Sequence, residues 1–158
     1  MASPGPRRVR DSLVQMSEIV LPEDTNAKGT AFGGRVLSLI DKCAAIAAMR
    51  HARSEVVTVS MDSVVFLIPV RLGNVLSLSG RLNAVFGSSM EAEVEVHSED
   101  LLTGEETLTT TALVTLVAVD ESGRPHRVPP LEPETQNERR RAVRAAARRQ
   151  ERLAAREG

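Results

Sequence analysis

Residues 56–119 constrain the fold more than any other part of this chain, because four β-type stretches follow one another there with only hairpin-length gaps. Residues 56–66 (VVTVSMDSVVF) are rich in β-branched side chains, and residues 74–86 (NVLSLSGRLNAVF) alternate small polar and apolar ones. Residues 88–98 alternate sharply, with Met90, Ala92, Val94 and Val96 on one side and Glu91, Glu93, Glu95 and His97 on the other. Residues 107–119 (TLTTTALVTLVAV) are nearly uncharged, the composition of an interior strand covered on both faces. Turn signals at 71–74 (RLGN), 86–88 (FGS) and 102–105 (LTGE) separate them. Strands joined by such short turns must pair antiparallel.

Upstream, residues 12–21 (SLVQMSEIVL) form a further strand that Pro22 ends, and residues 33–51 read as one long helix with an apolar face. That face has to be buried, and the sheet is the only large partner available. The expected fold class is therefore α+β: an antiparallel sheet of about five strands wrapped around one long helix. A second helix, residues 134–156, follows the prolines at 129, 130 and 133. The expected division is a disordered stretch over 1–10, one domain over 11–128, and an Arg-rich helical tail over 129–158. One five-stranded sheet leaves much apolar surface uncovered, so the chain is expected to dimerise sheet edge to sheet edge.

Composition excludes several function classes. With 2% aromatic residues and neither Trp nor Tyr, the core must be aliphatic, and the stacking platforms of single-strand nucleic-acid binders are missing. The single cysteine, Cys43, rules out an internal disulfide or a multi-cysteine metal site and reads as a small buried side chain. The three histidines, His51, His97 and His126, show no metal-ligand spacing, so no metal is expected. His51, near a helix C-terminus, reads most simply as a complement to the helix dipole. No stretch approaches a membrane span and the start lacks a secretory h-region, so no membrane partner is expected and the cytoplasm is the expected compartment. The net charge of −1 conceals ten Arg and five Glu from Arg124 onward, a basic tail on an acidic body. A solvated helix face accounts for that tail most simply.

The stretch DTNAKGTAFGG, residues 24–34, places polar and glycine residues directly before the long helix. At 100° per residue, Asp41 falls on the stripe of Leu37, Ala44, Ala45 and Ala48, where an apolar residue belongs. A carboxylate there needs a hydrogen-bond partner, and no cation stands three or four residues away. It either caps a nearby loop amide or acts as a general base or nucleophile in a dry pocket. Gly33 and Gly34 would let a ligand approach the helix start, whose unpaired N–H groups and dipole suit a developing oxyanion. Asn26, in the same loop, can reach that region.

These residues resemble the hotdog-fold acyl-CoA thioesterases, in the branch of bacterial short-chain and brain-type acyl-CoA hydrolases. The likeness lies in LPEDTNAKGTAFGG (21–34) with Asp41 seven residues on, and extends through VVTV (56–59), FLIPV (66–70), GNV (73–75), GSS (87–89) and VDESGR (119–124). The resemblance implies a helix wrapped by an antiparallel sheet, a homodimer assembled as a trimer of dimers, and hydrolysis of acyl-CoA to free acid and CoA without a bound cofactor. It also implies roles: Asp41 as general base or nucleophile, Asn26 completing the site from the neighbouring protomer, and the Gly33 and Gly34 amides polarising the thioester carbonyl. Gly87, Ser88 and Ser89 match a turn that contacts CoA, though an ordinary hairpin turn would look the same. Arg124 and Arg127 would meet the CoA phosphates. Lys28, Thr30, Ala31 and Arg35 depart from the residues common in those relatives, which bears on acyl preference. The rival reading is a non-catalytic acyl-CoA sensor touching DNA through the tail; against it, no helix-turn-helix precedes the fold, so no nucleic-acid partner is expected.

Overall fold

The structure, a computed structural model, describes residues 4–158. Its main sheet has five strands: β2 (Val14–Ile19), β3 (Glu55–Phe66), β4 (Val75–Phe86), β5 (Ser89–Glu99) and β6 (Glu106–Val119). They run in the order β2-β4-β5-β6-β3, every neighbouring pair antiparallel. A smaller ladder pairs β1 (Arg7–Arg8) in parallel with β7 (Leu131–Glu132). The sheet wraps α1 (Gly33–Ala52), and α2 (Gln136–Arg156) follows β7. This is the hotdog fold, and the sequence patterns place its main strands and both helices to within about two residues.

The core forms where the inward halves of the alternating strands meet one helix face. Leu78 and Leu82 of β4, Met90, Val94 and Val96 of β5, and Val114 and Leu116 of β6 close on Leu39, Ile40, Cys43 and Ala47 of α1. Helix and sheet come close at Gly80, where an added Cβ would lie 2.7 Å from the Cys43 sulfur. Only glycine tolerates that approach. Burial pushes the Cys43 thiol up to about 11, so the expected small buried side chain is what the core contains.

Several expectations need correction. Residues 7–10, expected in the disordered stretch, are held: Arg7 donates its amide to the Pro130 carbonyl at 2.9 Å, Arg7 also reaches the His51 carbonyl, and Val9 is buried. Residues 1–3 of that stretch lie outside the described residues. β6 is interior as expected, yet only one of its faces is fully buried; Thr111, Leu113, Thr115 and Val117 on the other are half-covered. The tail is solvated on one face only; its other face docks on the sheet. Thr135 and Glu138 form a reciprocal capping box at its start, Ala145 is fully buried, and Arg148 grips Glu91 of β5 with two bonds of 3.0 and 2.6 Å. Glu91, on the polar side of that strand, is 1% exposed beneath it. His51 is fully buried, with Nε2 2.6 Å from the Pro129 carbonyl. Burial lowers its pKa, so the ring is neutral and does not serve the helix dipole as a cation.

β3 is an unpaired edge. It carries bulges between Thr58 and Ser60 and between Asp62 and Val65, and it exposes Val57, Val59, Val65 and Phe66. Among the described residues no helix is long and apolar enough to cross a membrane.

Candidate active site

The loop before α1 is built by its own side chains. Thr25 and Ala31 bridge, and the Asn26 amide donates to the Thr30 carbonyl at 2.9 Å. The Asn26 side-chain oxygen accepts from the Lys28 and Thr30 amides at 3.0 and 3.2 Å, an arrangement that Gly29 completes with a φ of 74°. Asp24 accepts the Leu21 amide through one carboxylate oxygen and meets Arg35 of α1 at 3.1 Å through the other. Arg35, which also reaches Glu18 of β2 at 3.6 Å, thereby ties the helix start to the loop.

α1 begins without a side-chain cap at Phe32. The Arg35 and Val36 amides both turn back to the Phe32 carbonyl, at 3.1 and 3.2 Å, which leaves the Gly33 and Gly34 amides without a backbone partner. Space above them differs. A Cβ at Gly33 would meet the Phe66 ring at 3.6 Å, whereas one at Gly34 would meet nothing within 4 Å. Two donors and the positive end of a twenty-residue helix therefore face an accessible spot.

Asp41 lies two turns along. It stands at the edge of the buried stripe rather than near its middle, because the larger Leu39, Ile40 and Cys43 take the sheet-facing side. Its partner is neither a loop amide nor a cation: the Thr58 hydroxyl of β3 donates to Asp41 Oδ1 at 2.6 Å. The sequence reading missed Thr58. The signal was present, since Thr58 shares the inward parity of Val56 in a strand that otherwise turns apolar side chains to the helix. Within one protomer Asn26 is bonded to its own loop and makes no hydrogen bond to Asp41.

The remaining expected residues sit at the far end of β4. Gly87, with a φ of 73°, and Ser88 turn the chain into β5, which Ser89 opens. Their carbonyls accept from Val128 and Ala118 at 3.0 and 2.9 Å, so Arg127, next to Val128, is carried to this turn. Arg124 sits in a separate turn, its amide bonded to Asp120 at 3.0 Å. Basic side chains of α2 reach the same turn. Arg149, Arg152 and Arg156 share a cleft with Ser89, and the Arg149 guanidinium lies 5.0 Å from the Phe86 ring centroid. Among the described residues no cluster of three His, Cys, Asp or Glu side chains could hold a metal ion.

The thioesterase superfamily pattern matches residues 28–105. The chain is 44% identical over 138 residues to the uncharacterized acyl-CoA thioester hydrolase YkhA of Bacillus subtilis, covering 87% of this chain and 80% of that one. An apo hexameric acyl-CoA thioesterase superposes with a TM-score of 0.92 at 47% identity, over 96% of this chain and 97% of that one. The chain belongs to the hotdog-fold acyl-CoA thioesterase family. Another member, the acyl-CoA hydrolase of Staphylococcus aureus solved with butyryl-CoA, CoA and CoA disulfide, is 36% identical with a TM-score of 0.87, over 95% of this chain and 92% of that one. That thioesterase has also been solved as separate alanine variants of an asparagine, an aspartate and a threonine spaced by fifteen and seventeen residues. Asn26, Asp41 and Thr58 have the same spacing here.

Proposed function

We propose that this chain hydrolyses acyl-CoA to the free acid and CoA, with Asp41 as general base. The observation that carries this reading is the Asp41 carboxylate, held at 2.6 Å by Thr58 and two helical turns from the unpartnered Gly33 and Gly34 amides. The two amides receive the thioester oxygen. Asp41 takes a proton from a water whose oxygen attacks the carbonyl carbon, and the amides hold the resulting oxyanion. Collapse breaks the C–S bond, and the CoA thiolate leaves with the proton that Asp41 had taken. Water is the only second reactant, and in this reading Asp41 activates it without a metal or bound cofactor.

Asn26 completes the site from a neighbouring protomer, orienting the water or the carbonyl; its lack of a bond to Asp41 within one chain supports that reading. The bulged, apolar β3 edge supports a homodimer, and the trimer of dimers follows the hexameric relative. CoA lies along the interface. Gly87, Ser88 and Ser89 border its nucleotide end, with Arg124, Arg127 and the arginines of α2 as phosphate partners.

Release of CoA from a panel of acyl-CoAs tests the assignment. Asp41→Asn, nearly isosteric, should lower kcat by about 100-fold or more while the protein stays folded. Undiminished turnover in that variant would move the base elsewhere; binding of acyl-CoA without turnover by the wild type would make the chain a sensor.

A further inference from the structure

Beside the helix start lies a second feature that the chemistry above does not use. A cleft of about 220 Å³ opens next to Gly33, between the loop end at Ala31 and the last residue of β3, Phe66. No charged side chain lines it. Its wall is fixed, because the Ala31 amide donates to the Val70 carbonyl at 2.8 Å. Its inner end is closed by Val36 and Thr110, 4% and 2% exposed. The two adjoining clefts share Ile68 and Pro69 with it, but Lys28 and Arg71 line one, and Arg71, Asp100 and Glu105 the other. Neither suits a hydrocarbon.

We propose that this cleft takes the acyl chain of the substrate, and that Ala31 and Phe66 set the length it accepts. The inference rests on the assignment of acyl-CoA hydrolysis to this chain. Gly33 belongs both to the cleft and to the pair of free amides, so a thioester bound by its oxygen presents its first acyl carbons to the cleft mouth. A methylene, like a liquid water, takes about 30 Å³, which gives the cleft room for about seven carbons. Ala31 has the smallest side chain on the wall, and the Phe66 ring packed over Gly33 bounds the opposite side. The substrate class is therefore a medium-chain acyl-CoA, of about six to eight carbons.

kcat/KM for a series from acetyl- to hexadecanoyl-CoA tests this. Each buried methylene should raise it about fourfold until the cleft is full. Ala31→Ile fills the room of about three carbons, so the ratio of octanoyl- to butyryl-CoA should fall at least about tenfold. Phe66→Ala, compared with the wild type at matched oligomeric state by size-exclusion chromatography because Phe66 also lies on the β3 edge, should raise the ratio of dodecanoyl- to octanoyl-CoA about tenfold. If the wild type releases CoA from the panel but both ratios stay within about threefold of its own, the cleft does not hold the acyl chain. Should Ala31→Ile fail to fold, by circular dichroism, the Phe66→Ala ratio decides alone. A wild type that releases CoA from no member overturns the assigned activity, and this inference with it.

Discussion

In the proposed mechanism, Asp41 shows how one polar residue on an apolar face turns a packing helix into a working one. Its carboxylate accepts a 2.6 Å bond from Thr58, so one oxygen is fixed and the other is left for a substrate-side proton. Thr58→Val keeps the strand's shape and removes the hydroxyl. It should lower kcat about tenfold, with KM little changed, and Thr58→Ser should restore most of the loss. A merely structural role would lower the melting temperature instead and would not show rescue by Ser in kcat alone. His51 makes the complementary case of a buried polar group outside the chemistry. Burial holds its pKa below the ordinary 6.5, and its Nδ1 has no partner among the described residues. As pH falls the unfolded chain takes up this proton before the folded one. The stability that the neutral ring contributes is thus complete above about 6.5 and is lost progressively below it. Melting temperatures at pH 7.5 and 5.5 should differ more for the wild type than for His51→Asn; equal slopes would remove His51 from the account.

At the scale of elements, most of the fold was legible because each strand announced its period. The alternation of Met90 to His97 fixed both type and facing, while the β-branched run of residues 56–66 fixed type alone, since bulges shift its facing. What the sequence did not reveal is where the second helix goes. Ten arginines from residue 124 onward read as solvated charge when the carboxylates they meet, Glu91 and Glu93, lie some fifty residues away and themselves look solvent-facing. Pairwise charge matching across that distance leaves no periodic trace, and Thr58 escaped for the same reason: its partner is on another element. The docking has a measurable weight. Arg148→Ala leaves Glu91, 1% exposed, with only Asn83 at 3.0 Å and Arg152 at 3.9 Å. The loss should be about 3 kcal/mol in urea unfolding. A change under about 0.5 kcal/mol would mean that α2 is held by other contacts.

At the scale of the molecule, the proposed site draws its asparagine from a second copy of the chain. Asn26 faces its own loop, and the strand that bears Thr58 is the open edge of the sheet. Completion by a second copy has a sharp consequence. Asn26→Ala and Asp41→Asn proteins, each inactive alone, should regain activity when unfolded and refolded together. With random pairing about one site in four would hold both native residues. Recovery near that fraction places the asparagine in trans; recovery of nothing, with mixed dimers present by mass spectrometry, places it in cis.

The close passage of α1 over Gly80 leads somewhere quite separate from turnover. The one thiol in this chain lies at that seam, wholly covered and held protonated at neutral pH. Thiol-reactive dyes will therefore ignore the native molecule and label it only when the helix lifts from the sheet. The chain carries its own reporter of that opening, at a single position and without any engineered label. The labelling rate at low dye, measured against urea, reads out what fraction of the time the seam stands open.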